Sequence, residues 1–278
     1  MKKRNFENGG VERWARKVGP CLVVAIIVRG VLSGAAPGEA SMGAHGSDLS
    51  AAEIAASARQ VAGGDALLAV TSLRREGAVD LSSPMFGELS GTWTVLSNPG
   101  TKGYQLADFG QGATATGWNG ARGWEESMMG LRDLAPAEVA INRVNWDVHL
   151  LAALEREGKL GALRRAADAE IDGQVHYVLE VAPEGALSAD VGTRVFVHPE
   201  SFQVTRIQMT LLIPEMGSTA VVHDYSNYVA VEIPGSGSVR LPQRIEQSIE
   251  NVFDLTIVLA ETEVNGAVDE QRFEPPGA

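Results

Sequence analysis

The chain has 278 residues, enough for one large domain or two small ones. Its composition, 45% hydrophobic and 21% charged, can supply a sizeable core and excludes a disordered polyelectrolyte. The net charge of −12 is uneven: residues 1–40 hold seven Lys/Arg against three Asp/Glu, so the remaining 16 basic and 32 acidic residues leave −16. Such a body repels nucleic-acid phosphate and lacks the basic patch that an anionic membrane surface attracts.

The N-terminal stretch MKKRNFENGGVERWARKVGP is basic, CLVVAIIV is apolar, and GVLSGAAPGEA is rich in small residues. That order is a secretory signal peptide over residues 1–40, with a small-x-small cleavage site at Gly38-Glu39-Ala40. The apolar run is short for a membrane span and is interrupted by Arg29, so export to the periplasm is expected, with a retained N-terminal anchor as the rival. Cys21, the sole cysteine, precedes the apolar run rather than following it, so it does not read as a lipid-attachment site. A cleaved chain would carry no thiol, and disulfide, redox and thiolate–metal readings fall together.

Residues 41–49 read as a linker, and 50–276 as the folded domain. Ser50-Ala-Ala-Glu53 is a capping-box pattern that predicts a helix with Ile54, Ala58 and Val61 on one face, stopped at Gly63-Gly64. Asp65 can cap a second short turn that runs through Leu68 and Leu73. After Gly77 the period becomes two. LSGTWTVLSN places Trp93 and Val95 on one face, and KGYQLADFG, TATGWNG and GWEESM follow as short strands. Asn98-Pro99-Gly100 and Asn119-Gly120 are the turns.

Residues 134–155 return to helical spacing through Ile141, Val144, Val148 and Leu151, as one amphipathic helix or a broken pair, with Pro136 near the start and Gly158 and Gly161 at the end. The rest is a strand meander. Asp172-Gly173 marks a hairpin into QVHYVLEV, His198–Ser201 a second turn, and Pro234–Gly237 and Glu250-Asn251 two more. About ten or eleven strands with helices inserted early describe an α+β fold: one large, strongly curved antiparallel sheet, an incomplete β-barrel, with helices on its concave face.

No catalytic motif stands out. The five histidines make no HExxH or HxxxH spacing, GxSxG is missing, and GQGATATG lacks both phosphate-cradling patterns. His223 and Asp224 are adjacent in a strand and therefore face opposite sides. No metal and no cofactor are called for. The aromatic residues are concentrated: Trp93, Tyr104, Trp118, Trp124 and Trp146 fall within one span and could line an apolar hollow or simply build core. Arg74 and Arg75 alternate, so one should face the concavity and the other solvent.

The order of elements carries a resemblance. A helix ending in GGDALL, then SLRREG, strands carrying GW, AEVAINRVNWDVHLLAAL, IDGQVHYVLEV, RVFVHPESFQVTRIQ, VVHDYSNYVAVEIPGSGSVRLPQRIEQSI and a final EQRFEPP together resemble the LolA/LolB superfamily of periplasmic lipoprotein carriers, in particular its outer-membrane lipoprotein-sorting-like members. The resemblance spans roughly residues 50–276, and its motifs are structural. It implies an incomplete antiparallel barrel whose helices plug the concave side, an acyl chain or lipid bound between sheet and helices, and no catalytic group. It also implies a functional arginine on the sheet, although no motif fixes which one.

The expected function is therefore a non-enzymatic periplasmic carrier or binder of a lipid or lipoprotein acyl chain. Trp93, Val95, Tyr104, Leu106, Trp118, Trp124, Val144, Val148 and Leu151 would line its groove, and Arg74 or Arg75 would contact a headgroup or the lid. A monomer is expected, with envelope transport proteins as candidate partners. Two alternatives remain open: an envelope sensor or interaction module of the same fold with a helix-filled concavity, and an envelope hydrolase using His223 or His176 with a carboxylate.

Overall fold

A computed structural model describes residues 49–120, 122–181, 191–213 and 217–277. The expected signal peptide and all of the linker except Leu49 lie outside them. Helix α1 (Ala51–Ala62) is held at its start by the capping box: the Ser50 hydroxyl accepts from the Glu53 amide, and the Glu53 carboxylate accepts from the Ser50 amide at 2.8 Å. Such a cap contributes about 1 kcal/mol and fixes where the helix begins. A 3-10 turn (Gly64–Leu67) follows α1. Strand β1 (Leu73–Ser83) then begins at Leu73, earlier than the change of period after Gly77 indicated, because Leu73 and Arg75 already alternate inward with Val79 and Leu81.

Thirteen further strands are described: β2 (Gly87–Asn98), β3 (Lys102–Asp108), β4 (Ala113–Trp118), β5 (Gly123–Ser127), β6 (Gly130–Asp133), β7 (Leu163–Arg165), β8 (Ala169–Ile171), β9 (Gln174–Val181), β10 (Val191–Val197), β11 (Val204–Ile213), β12 (Gly217–Ile233), β13 (Gly237–Ile249) and β14 (Phe253–Val264). The count exceeds the ten or eleven expected, since four-residue β6 and three-residue β7 and β8 are too short to show a period. Helices α2 (Pro136–Trp146) and α3 (Leu150–Arg156) form the broken pair, interrupted at Asp147–His149.

All pairings are antiparallel, in the order β6-β5-β4-β3-β2-β1-β14-β13-β12-β11-β10-β9-β7, with β8 added to β9. The first strand pairs with the last, and the sheet does not close: β6 and β7 remain its two edges. The chain runs from one edge to the other through α2 and α3, so the helical insert ties the two margins of the sheet together. Irregularities at Glu76/Gly77 and Phe196/Val197 shift the register and add the local twist that a curved sheet needs.

The register lays continuous rows of side chains across the concave face. One row runs Leu179, Val195, Ile207, His223, Gln247, Leu255, Leu81 and Leu89 from β9 to β2. With Val79, Ile245 and Ile257 beside it, this half is mostly aliphatic. Ile54, Ala55 and Ala58 of α1 and Leu150, Leu151 and Leu154 of α3 complete the same core. A second core under the 3-10 turn joins Leu67, Val70, Leu73, Val148, Ile233, Val239 and Leu241. On the convex face, a C-terminal 3-10 turn (Glu270–Phe273) drives Phe273 onto Leu96, Tyr104 and Trp124, and the Trp124 indole N–H donates to the Phe273 carbonyl at 3.2 Å.

Candidate functional site: the covered concave face

The concave face has a second half with different chemistry. From β1 to β6 one row reads Arg75, Val95, Gln105, Thr116, Glu125 and Arg132. The row beside it reads Leu73, Ser97, Gly103, Trp118 and Gly123. Helix α2 lies on this half, and the two glycines make its seat. A Cβ on Gly103 would stand 2.5 Å from the Trp146 ring, and one on Gly123 would stand 2.4 Å from Val139. Trp146 therefore drops into the sheet beside Trp118, with ring centroids 6.5 Å apart and planes 12° from parallel. Arg143 stacks over the same Trp118 at 4.9 Å.

Polar contacts fasten the helices around this seat. Arg132 donates to Glu125 on the sheet at 2.9 and 3.0 Å and to Glu138 on α2 at 2.7 and 3.1 Å, while Glu138 also accepts from the Ala135 amide at the helix start. Glu125 is 2% exposed, and burial raises its pKa against the lowering pull of Arg132. At the break between α2 and α3, buried Asp147 accepts from Arg156 at 3.0 Å, and Arg156 also donates to the Leu67 carbonyl at 2.7 Å. Burial pushes the Asp147 carboxyl up, and Arg156 opposes it. The His149 Nδ1 accepts from the Leu151 amide and caps α3, and burial lowers its pKa to about 4. Arg59 of α1 bonds to Glu155 of α3 and so joins the two.

The seat makes an expectation for Gly103→Val. The added branch must displace Trp146, and overpacking of this kind costs about 2 kcal/mol. Loss of the α2 contact should show as a red-shifted tryptophan emission and faster amide exchange across residues 136–156 than across β13. A variant with unchanged emission and exchange would mean that α2 does not depend on this contact.

The nine groove candidates divide. Trp93, Val95 and Leu151 are buried in the main core at 0–1% exposure, with Trp118 packed against them. Val148 lies in the second core. Tyr104, Leu106 and Trp124 belong to the convex cluster around Phe273, and this corrects their assignment to the groove. The cause is parity. Trp93 pairs with Ala107, so the odd-numbered residues of β3 face inward and Tyr104 and Leu106 face outward. Trp124 pairs with Gly117 and shares that outer face. Val144 is on α2, and its side chain lies outside the described residues.

The arginine pair separates as alternation requires. Arg74 points outward to Glu76 at 2.8 Å and Glu263 at 3.8 Å. Arg75 is 3% exposed on the concave side, 5.8 Å over the Trp93 ring. Burial lowers its pKa to about 10, partly offset by Tyr225 and Asp147.

Sequence reading passed over Gln105, Thr116, Glu125, Gly103, Gly123, Tyr225 and Gln247. The register extrapolated from each turn is the signal that could have placed them. His223 is fully buried beside Tyr225, whose ring stacks at 6.4 Å, and neither ring nitrogen has a hydrogen-bond partner among the described residues. Asp224 turns outward to a bidentate contact with Arg206 at 2.6 and 2.9 Å. His176 contacts the Gln174 carbonyl at 2.9 Å and the edge of His198. Neither histidine is paired with a carboxylate in these contacts, and among the described residues no His, Cys, Asp or Glu group has the grouping that a metal ion requires.

No protein-family model matches the sequence, and comparison with curated proteins returns no match. The architecture does match. A LolA superfamily protein from Nitrosomonas europaea superposes with a TM-score of 0.53 over 82% of this chain and 98% of its own, at 13% identity. The chain has the LolA-superfamily fold. A DUF1329 family protein from Desulfovibrio piger superposes with a TM-score of 0.50 at 11% identity, over 81% of this chain and 95% of its own. In this LolA-like sheet the concave face is the covered surface, and α1, α2 and α3 are its cover. No helix among the described residues is long and apolar enough to cross a membrane.

Proposed function

We propose that this protein is a non-enzymatic periplasmic binder of an acyl chain or lipid, taken up between the aliphatic half of the concave face and the helices over it. The observation that carries the reading is the kind of cover. Leu81, Val195, Ile207, Leu255 and Ile257 are closed off by short helices rather than by a second sheet. The helices over this half, α1 of 12 residues and α3 of 7, are marginal alone and hold their shape through packing, so an apolar guest that replaces their contacts can displace them. Each methylene taken from water contributes about 0.8 kcal/mol, and a long chain needs no catalytic group to be held. The superposition on a LolA superfamily protein supports the same reading at the level of fold. Handing the chain on as a carrier within the envelope belongs to this proposal. Arg75, buried on the concave face over Trp93, is then the arginine that senses the cover or the cargo head.

Native mass spectrometry of the protein purified from cells, followed by organic extraction, tests the proposal. A stoichiometric lipid adduct is expected, with uptake of a fluorescent fatty acid by the delipidated protein. A bare mass together with no uptake would overturn it. That outcome would favour an interaction module of the same fold, for which the specific support is that Ile54, Leu151 and Leu154 of the protein itself already fill the concavity at 0% exposure.

A further inference from the structure

Buried polar atoms in folded proteins are nearly always paired, and each exception calls for a cause. Here some lie apart, at Ser97, Gln105, Thr116, Trp146 and Thr193, but five fall on neighbouring residues of the concave face. In the middle of the aliphatic half, His223 and Gln247 face each other across β12 and β13 at 0% and 5% exposure. Tyr225 lies two residues further along the same face. Both His223 ring nitrogens, the Gln247 amide nitrogen, the Tyr225 hydroxyl and the Trp93 indole nitrogen are buried without a hydrogen-bond partner among the described residues. His223 stacks on Tyr225, Arg75 sits over Trp93, and Trp93 and Tyr225 pack against one core.

Their chemistry leans one way. The Gln247 NH2, the Trp93 N–H, the Tyr225 O–H and one His223 N–H can donate, whereas the other His223 nitrogen and the Tyr225 oxygen can accept. Arg75 adds a buried positive charge. The surroundings are hydrocarbon: Ile207, Ile245, Leu255 and Ile257 pack around the patch. Leaving such groups unsatisfied costs about 1–3 kcal/mol each, which a core of aliphatic side chains would avoid.

The geometry points to a recognition site for the polar end of the guest, in which Gln247, Tyr225, His223 and Trp93, backed by Arg75, donate to a carbonyl-type acceptor head, the carboxylate or ester of an acyl chain. This inference rests on the acyl-binding reading and deepens it: the aliphatic rows hold the chain, and the donor patch selects its head. A site built to satisfy hydrogen bonds rejects a guest that cannot supply them more strongly than an apolar wall rejects a missing methylene.

The test compares four guests of one chain length by calorimetry on the full delipidated protein: dodecanoate, methyl dodecanoate, dodecane and dodecyltrimethylammonium. Dodecanoate or its ester is expected to bind at least about tenfold more tightly than dodecane or the cation, a difference of about 1.4 kcal/mol. Preference for the acid identifies a free fatty acid, and preference for the ester an acylated lipid or protein. Tyr225→Phe with Gln247→Leu removes two of the donors that lack partners. It should bring the acceptor heads to within about threefold of dodecane, with the circular dichroism spectrum and urea midpoint of the parent as the control for folding. Equal affinity for all four guests overturns the head site and leaves the acyl-binding reading standing. No binding of any guest overturns that reading and this one together.

Discussion

Replacing Arg132 with methionine is expected to destabilise the protein by about 3 kcal/mol at neutral pH. Removing one partner of a buried ion pair costs about 3–5 kcal/mol, because the remaining charge is stranded. The lower end applies here because the Arg132 side chain is 38% exposed while that of Glu125 is 2% exposed. The stranded group has an escape: Glu125 can take a proton, and its pKa is already raised by burial. A carboxylate whose folded pKa lies above its unfolded value contributes stability at low pH and loses it as pH rises through the folded pKa. The penalty of the variant relative to the parent should therefore shrink between pH 8 and pH 5, as read by urea unfolding. Adding Glu125→Gln should recover part of it, since buried Glu138 also loses Arg132. A pH-independent penalty would mean that Arg132 acts through packing alone. Because Arg132 also holds Glu138 of α2, amide exchange in α2 should rise more than exchange in β9.

The second large effect is expected from acid acting on His223. Burial holds its folded pKa at about 4, against an ordinary value near 6.5. Above about pH 6.5 both states are neutral and the ring adds no pH dependence. As pH falls from about 6.5 to 4 the unfolded chain takes the proton first, and about 3 kcal/mol of stability is lost. His149 works in the same direction, while the raised carboxyls of Glu125 and Asp147 oppose both. Comparing His223→Leu with the parent isolates the one ring. The variant should match or slightly exceed the parent at pH 7.5, since it removes buried nitrogens that lack partners, and should exceed it by about 3 kcal/mol at pH 4.5. Parallel stability curves for the two would show that His223 is not buried as a neutral ring.

The fold was legible in the sequence where a local signal was strong. Ser50 and Glu53 announced α1, and both Asp172 and Gly173 adopt the positive φ that their hairpin turn requires. Alternation correctly put Trp93 with Val95 and sent one of two adjacent arginines inward. What escaped depended on register between strands distant in sequence. Tyr104 and Trp124 share an outer cluster with Phe273, more than 140 residues away along the chain, and a count of aromatic residues cannot reveal that. The seat for α2 escaped for another reason. Gly103 and Gly123 look like turn residues, and only their alignment on either side of Trp118 makes them a trough. The donor patch joins Gln247 to His223 through pairing of β12 with β13, strands whose register no single turn announces.

Because α2 and α3 bridge the seam between β6 and β7, the cover cannot lift like a free flap. Its two roots are the hems of the sheet itself, so raising the helices and parting the hems are one movement. On the proposed acyl-binding reading, a guest entering the hollow would work against the elasticity of the whole wrapped sheet as well as against three short helices, and that stiffness would return the cover once the guest departs.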